Sequence, residues 1–330
     1  MRDKKKLAIA WFGACAGCDE SIVDINEELL ALADAFEIVL WPVAFDYKYE
    51  QIEHLRDGEL ALALISGSVR NSEHEELAHL LRRKSLNLVA FGACACFGGT
   101  PGLANMVTRE DIFATAYHDA PTVVNPLGIE PEPQSVIHGK ELSLPVFYNE
   151  VHPLNAIIEV DYYLPGCPPP PPLISAMISA FLNGKLPQRG STLAPDTALC
   201  EVCPRNATKP QRLVIQNLRR IHEGPVDAEQ CFLAQGIVCV GPATRQGCGS
   251  PCMKVNMPCR GCFGPVEGVS DMGTAFVSSI ASLLESGENG AGSVPDPAGY
   301  FYRFTTATSI LGKRRSTVSR QNEGVTQWKE

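Results

Sequence analysis

Thirteen cysteines in 330 residues limit what this chain can fold into more than any other feature of its sequence. Eight of them lie between Cys200 and Cys262, a segment with little continuous helix or strand pattern beyond Gln211–Ile221 and Ala228–Gln235. Such a stretch buries too little apolar surface to offset the entropy of ordering it, so an inorganic group is expected to staple it. The remaining five sit near three segments that read as strand ends: Gly13-Ala-Cys15, Gly92-Ala-Cys94 and Pro165-Gly166-Cys167. An odd cysteine count leaves one thiol over from any full disulfide pairing. Metal or redox chemistry therefore becomes the question.

The first half alternates apolar runs with helix-like segments, the pattern of a parallel sheet covered by helices. Strands are expected at Leu7–Phe12, Phe36–Trp41, Leu60–Ile65, Leu86–Phe91 and Val160–Leu164. Ser21–Phe36 carries Ile22, Ile25, Leu29, Leu30 and Leu32 at helical spacing, and Asn71 or Ser72 is placed to cap a second helix running through Leu81. After Cys167 come five prolines, then Leu173–Leu182 as a helix closed by Asn183-Gly184. In open α/β sheets ligands sit outside the carboxyl ends of the strands, so cysteines from three separate loops converge on one edge.

Composition turns to Pro, Gly, Ser and Thr around Leu186–Pro195, which marks a boundary. The expected units are 1–190, a flavodoxin-like α/β domain; 191–286, an irregular domain that includes a helix over Gly273–Leu284; and 287–330, a tail with a flexible Gly287–Pro297 stretch and the basic run Lys313-Arg-Arg315. No internal repeat occurs. The formal charge of −9, without a Lys/Arg block, argues against a general nucleic-acid binder. No apolar run approaches the roughly 18 residues of a membrane helix, so no direct membrane insertion is expected. Lys4–Lys6 before Leu7–Phe12 loosely mimic a lipoprotein signal. The run fits a first strand better, and a cytoplasmic location is expected. Neither G-x-x-x-x-G-K-[ST] nor G-x-G-x-x-G occurs, which argues against a nucleotide site.

Free cysteines often pack as small hydrophobes, and an isolated C-x-x-C such as Cys15/Cys18 also fits zinc or a redox dithiol. The count favours iron–sulfur clusters, each held by about four soft thiolates. Cys15, Cys18, Cys94 and Cys167 make one set of four; Cys200, Cys203, Cys231 and Cys239 a second; Cys248, Cys252, Cys259 and Cys262 a third. Cys96 remains. Zinc would need two all-thiolate sites in the second half and leaves the strand-end cysteines unexplained.

At these residues the sequence resembles the small, electron-transferring subunit of [NiFe] hydrogenases. The matching motifs are Cys15-Ala-Gly-Cys18-Asp-Glu20-Ser21, Gly92-Ala-Cys94-Ala-Cys96-Phe-Gly98-Gly99, Pro165-Gly-Cys167-Pro-Pro169, Cys200-Glu-Val-Cys203-Pro-Arg205 and Pro258-Cys259-Arg-Gly-Cys262. The likeness runs from about residue 7 to about residue 270. It implies that the first set holds a proximal [4Fe-4S] cluster near a nickel–iron centre in a separate large subunit, the second a distal and the third a medial [4Fe-4S] cluster. No catalytic residue is expected on this chain itself. Cys200 stands where membrane-associated relatives carry His, and Cys252 where many carry Pro and a [3Fe-4S] centre. The added thiolates favour lower potentials. That suits a cytoplasmic, F420-non-reducing (viologen-reducing) type, which passes electrons to a heterodisulfide reductase-type, ferredoxin-like or flavoprotein acceptor.

Two rivals stand beside this reading: a complex I-like quinone oxidoreductase small subunit with a single cluster, and a zinc-binding regulatory protein. Among other residues, Glu20 is either a helix N-terminal carboxylate or part of a proton path toward the partner. Arg205 either donates near the distal cluster or pairs with a surface carboxylate. Gly13 and Gly98-Gly99 are expected to permit close backbone approach, Cys96 to be a buried spectator, and His222 not to be a ligand.

Overall fold

The computed structural model describes residues 4–284 and 296–313. The runs read as strands form one five-stranded parallel sheet: β1 (Lys5–Trp11), β2 (Phe36–Leu40), β3 (Leu60–Ser66), β5 (Leu88–Phe91) and β9 (Tyr162–Leu164). Their spatial order is β2-β1-β3-β5-β9, or 2-1-3-4-5 when the sheet strands are counted in chain order, which is flavodoxin-like. Alternation along β1 divides the core in two. Ala8 and Ala10 face a cluster with Ile65, Leu77 and Leu81, whereas Leu7 and Ile9 face another with Ile22, Leu32, Ile174 and Phe181.

Helices cover both faces. Helix α4 (Ser72–Lys84) starts at Asn71, whose side chain accepts the His74 N–H at 2.8 Å, and carries Glu73 and Glu75 in its first turn and Arg82, Arg83 and Lys84 in its last. Helix α7 (Pro171–Leu182) begins with two of the five prolines, and Gly184 follows it at a φ of +63°. The helical pattern over Ser21–Phe36 is two helices, α1 (Gly17–Val23) and α2 (Glu28–Ala35). Asn26, at a φ of +56°, bonds back to the Asp24 carbonyl and breaks the run, a conformation Asn tolerates better than most residues. Short helices α3 (Tyr49–Glu53), α5 (Gly92–Phe97) and α6 (Arg109–Ala114) fill connections. Two antiparallel pairs stand outside the main sheet: β4 (Val69–Asn71) with β8 (Phe147–His152), and the hairpin β6 (Gln134–Ile137) with β7 (Lys140–Ser143).

Beyond residue 190 regular structure is sparse. The Gln211–Ile221 and Ala228–Gln235 patterns form loops tied by single bridges, Ile215 to Leu284 and Arg219 to Ile237, with one-turn 3₁₀ segments at Ile221–Glu223 and Leu233–Gln235. Pro210, Gly224 and Pro225 interrupt any longer element. Helix α8 is Pro251–Lys254, α9 is Met272–Ala281, α10 is Pro297–Phe301 and α11 is Ile310–Lys313. Phe276 and Ile280 of α9 pack with Tyr300, Phe301 and Tyr302. Most of the Gly287–Pro297 stretch, and Arg314-Arg315 of the basic run, lie outside the described residues. Among the described residues no helix is long and apolar enough to cross a membrane.

Candidate metal centres

Three loops at the carboxyl edge of the sheet carry the first four cysteines. Cys15 and Cys18 follow β1, Cys94 lies in α5 directly after β5, and Cys167 follows β9. The Cys18 thiol is pushed far above its ordinary range by burial and then by Cys94, Cys167, Asp19 and Cys15. Cys94 is pushed up to about 12 by burial, Cys167 and Cys15. These four side chains therefore face one another. Glycines make the close approach possible: an added Cβ at Gly92 would stand 2.4 Å from Cys18 Sγ, and one at Gly99 2.4 Å from Cys94 Sγ. Gly13 lies against β-edge backbone, its added Cβ falling 2.9 Å from the Ser68 carbonyl oxygen.

The loops are tied from behind. Asp19 is buried and accepts from Trp41 Nε1 at 3.0 Å and from Ser66 Oγ at 3.2 Å, while the Ser21 hydroxyl donates to the Pro169 carbonyl. Nothing in the spacing of the sequence distinguishes Asp19; only the fold brings Trp41 and Ser66 to it. Glu20, in the first turn of α1, points to the exposed side. Cys96 is buried, as expected, its Sγ lying 3.3 Å from the Ala90 carbonyl that accepts its hydrogen bond.

The second set lines one small cavity together with Arg205, Phe232 and Met253. Cys200 is raised to about 12 by burial and then by Cys239, with Lys209 opposing and Cys203 and Cys231 adding. Cys239 is raised to about 11, chiefly by burial. Arg205 is buried and makes no surface pair. It donates to the carbonyls of Asp227 at 3.0 Å, Gln230 at 3.1 Å and Met253 at 3.4 Å and to Asn256 Oδ1 at 2.7 Å, and stacks 4.1 Å from the Phe232 ring centre. It thus joins three loops of the second and third sets. His222 is exposed.

In the third set, Cys262 is raised to about 12 by burial, then Cys167, Cys248 and Cys252, and burial with Cys239 and Cys262 raises Cys259. Adjacent sets touch. The Cys259 N–H donates to Cys239 Sγ at 3.3 Å, and Cys167 lies near enough to Cys262 to raise its thiol. Phe97 lies where Gly264 has no Cβ, an added one falling 2.3 Å from its ring. Among the described residues no three His, Cys, Asp or Glu side chains close on a single metal ion; the first four cysteines meet at the sheet edge and the second four line one cavity, while Cys259 and Cys262 lie against Cys239 and Cys167 as well as their own neighbours. Soft sulfur donors from separate loops, most of them at least partly withdrawn from solvent, fit a polynuclear iron–sulfur group whose positive charge would hold them as thiolates.

Comparison with known proteins decides the family. Residues 15–181 match the family described as NADH ubiquinone oxidoreductase, 20 Kd subunit. The iron–sulfur subunit of the F420-non-reducing hydrogenase of Archaeoglobus profundus is 43% identical over 282 residues, covering 84% of this chain and 88% of that protein. The corresponding subunit of the F420-non-reducing hydrogenase of Methanothermobacter marburgensis is 34% identical, covering 94% and 97%. The chain belongs to the iron–sulfur subunit family of F420-non-reducing hydrogenases. It is a hydrogenase iron–sulfur subunit, a component of an oxidoreductase, and its first half is the part shared with the 20 Kd subunit family. A solved chain of an NAD+-reducing [NiFe]-hydrogenase aligns with 56% of this chain and 94% of its own length at 34% identity, with a TM-score of 0.48.

Proposed function

We propose that this hydrogenase small subunit carries three [4Fe-4S] clusters and relays electrons, one at a time, between the nickel–iron centre of a large subunit and an acceptor protein. When bound, the clusters supply reversible one-electron chemistry, and the chain's part is to hold and space them. Residues 1–190 would carry the proximal set, 191–286 the other two, and 287–330 form a C-terminal extension. Cys15, Cys18, Cys94 and Cys167 are the proximal ligands in this proposal, Cys248, Cys252, Cys259 and Cys262 the medial and Cys200, Cys203, Cys231 and Cys239 the distal ones. Glu20, exposed at the same edge as Cys15, remains the candidate for proton passage toward the partner. A heterodisulfide reductase-type, ferredoxin-like or flavoprotein acceptor, and a cytoplasmic location, belong to the same proposal.

What supports it is the placing of Cys15, Cys18, Cys94 and Cys167 at the carboxyl edge of the sheet and of Cys200, Cys203, Cys231 and Cys239 around one small cavity, with the Cys259 N–H bonded to the Cys239 sulfur. A single-cluster complex I-like module leaves eight of the twelve proposed ligands without a role. Anaerobic protein should contain about twelve irons with matching acid-labile sulfide. About four irons would favour the single-cluster reading, and zinc without sulfide the binding protein. In Cys203→Ala iron should fall by about a third and acceptor reduction should fail, while the large subunit's metal site still assembles. Acceptor reduction equal to wild type would remove the distal assignment.

A further inference from the structure

Between residues 124 and 146 the chain leaves the body of the α/β domain and returns. Of 24 large apolar side chains exposed on the described residues, eight fall within these 23 positions. Val124 is 91% exposed, Leu127 80% and Val136 69%. Four charged residues, Glu130, Glu132, Lys140 and Glu141, stand among them. At its centre β6 and β7 pair only with each other, closing through His138 and Gly139 at φ of +52° and +75°. Val136 and Ile137 are neighbours on one strand and so face opposite ways, yet both are exposed. A two-stranded hairpin with neither face packed is marginal in water, and an apolar surface of this density is the mark of a surface meant to be covered.

The geometry points to this arm as the part of the chain that grips the hydrogenase large subunit, an inference that rests on the pairing proposed above. Its position favours that occupant. Gly13 and Ser68 exchange backbone hydrogen bonds, Val69–Asn71 continue as β4, β4 pairs with β8, and Ser72 and Val146 bond each other at the root of the arm. One continuous ladder therefore runs from the loop of exposed Cys15 to the arm. A partner close enough to exchange electrons at Cys15 and Cys167, both exposed at the carboxyl edge, is brought to the base of the arm. The eight exposed apolar side chains of the stretch suit the apolar interface of a permanent complex. A second copy is a poorer occupant: Pro131, Pro133 and Pro145 flank the two strands and deprive their edges of donors for strand addition.

The test uses the full chain produced with its large subunit. Val136→Glu, and separately Leu127→Glu in the loop where hairpin folding is not at stake, should weaken recovery of the large subunit by about tenfold or more. Leu182→Glu, an exposed apolar position at the far end of α7, should leave it unchanged. Recovery in both arm variants equal to wild type overturns the inference, as does unchanged recovery with a shift in self-association by native mass, which would assign the arm to a second copy. A wild-type chain that retains no large subunit overturns the pairing itself. Iron content of the wild-type chain separates that last result from a failure of the cluster reading.

Discussion

Cys18 and Cys94 have room for their sulfurs because two glycines yield it. Gly92 and Gly99 have φ of +86° and +58°, and each would set a Cβ 2.4 Å from a thiol sulfur. Gly92→Ala is expected to lower iron content at the proximal set, seen as loss of about a third of the iron, because both the backbone and the sulfur would have to move. Cys96→Ala should instead keep full iron and lose about 1 kcal/mol in denaturant unfolding, since its sulfur bonds only within the core. The cysteine types and spacings are legible in the sequence because thiolate chemistry needs those atoms at strand ends. Gly92 is legible only as part of a motif, since a steric role depends on a neighbour 74 positions away in the chain. Asp19 and Arg205 show the same limit: the partners of each come from separate loops that no local pattern connects.

Elements with a strong period are legible. All five sheet strands and helices α4, α7 and α9 lie where their apolar spacing puts them, whereas β4, β8 and the β6–β7 hairpin have patterns too short and too mixed to separate from loop. The break between α1 and α2 escapes the pattern because Asn26 acts through one left-handed residue, not through hydrophobic period. Helix α9 illustrates how an end is fixed. Asp271 accepts from the Thr274 N–H at 2.8 Å and, with its other oxygen, from the Ile310 N–H at 2.9 Å. Asp271→Ala should cost about 1–2 kcal/mol by chemical denaturation, and Asp271→Asn, which keeps an accepting oxygen, less. Equal losses in the two would mean that the cap contributes nothing.

At the scale of the whole molecule, the second half has its own buried core, in which Ile215, Leu233, Val240 and Met272 join Phe276 and Ile280 against Tyr300–Tyr302. Another buried cluster there consists of Leu199, Phe232, Ile237, Met253 and Cys259. The segment after residue 296 ties it to the α/β domain. Tyr300 lies between Arg220 and Arg260, whose guanidinium carbons are 4.7 and 4.5 Å from its ring centre, Tyr302 fills the space beside Gly273, and Ala307 fills the space beside Gly98. Ala307→Leu should overpack the last contact and cost roughly 1–3 kcal/mol, read as a lower unfolding temperature; an unchanged temperature would show that this junction is loose. The docking of the extension is not legible in the sequence, because anchors such as Tyr302 and Ala307 are single residues meeting glycines far away in the chain.

The loop of Cys259 and Cys262 stands between two neighbours: its amide steadies the Cys239 sulfur on one side, and the Cys262 thiol feels Cys167 on the other. Wear in the middle link of such a chain cannot stay local. Damage there would register at the two ends before either end had lost an atom of its own.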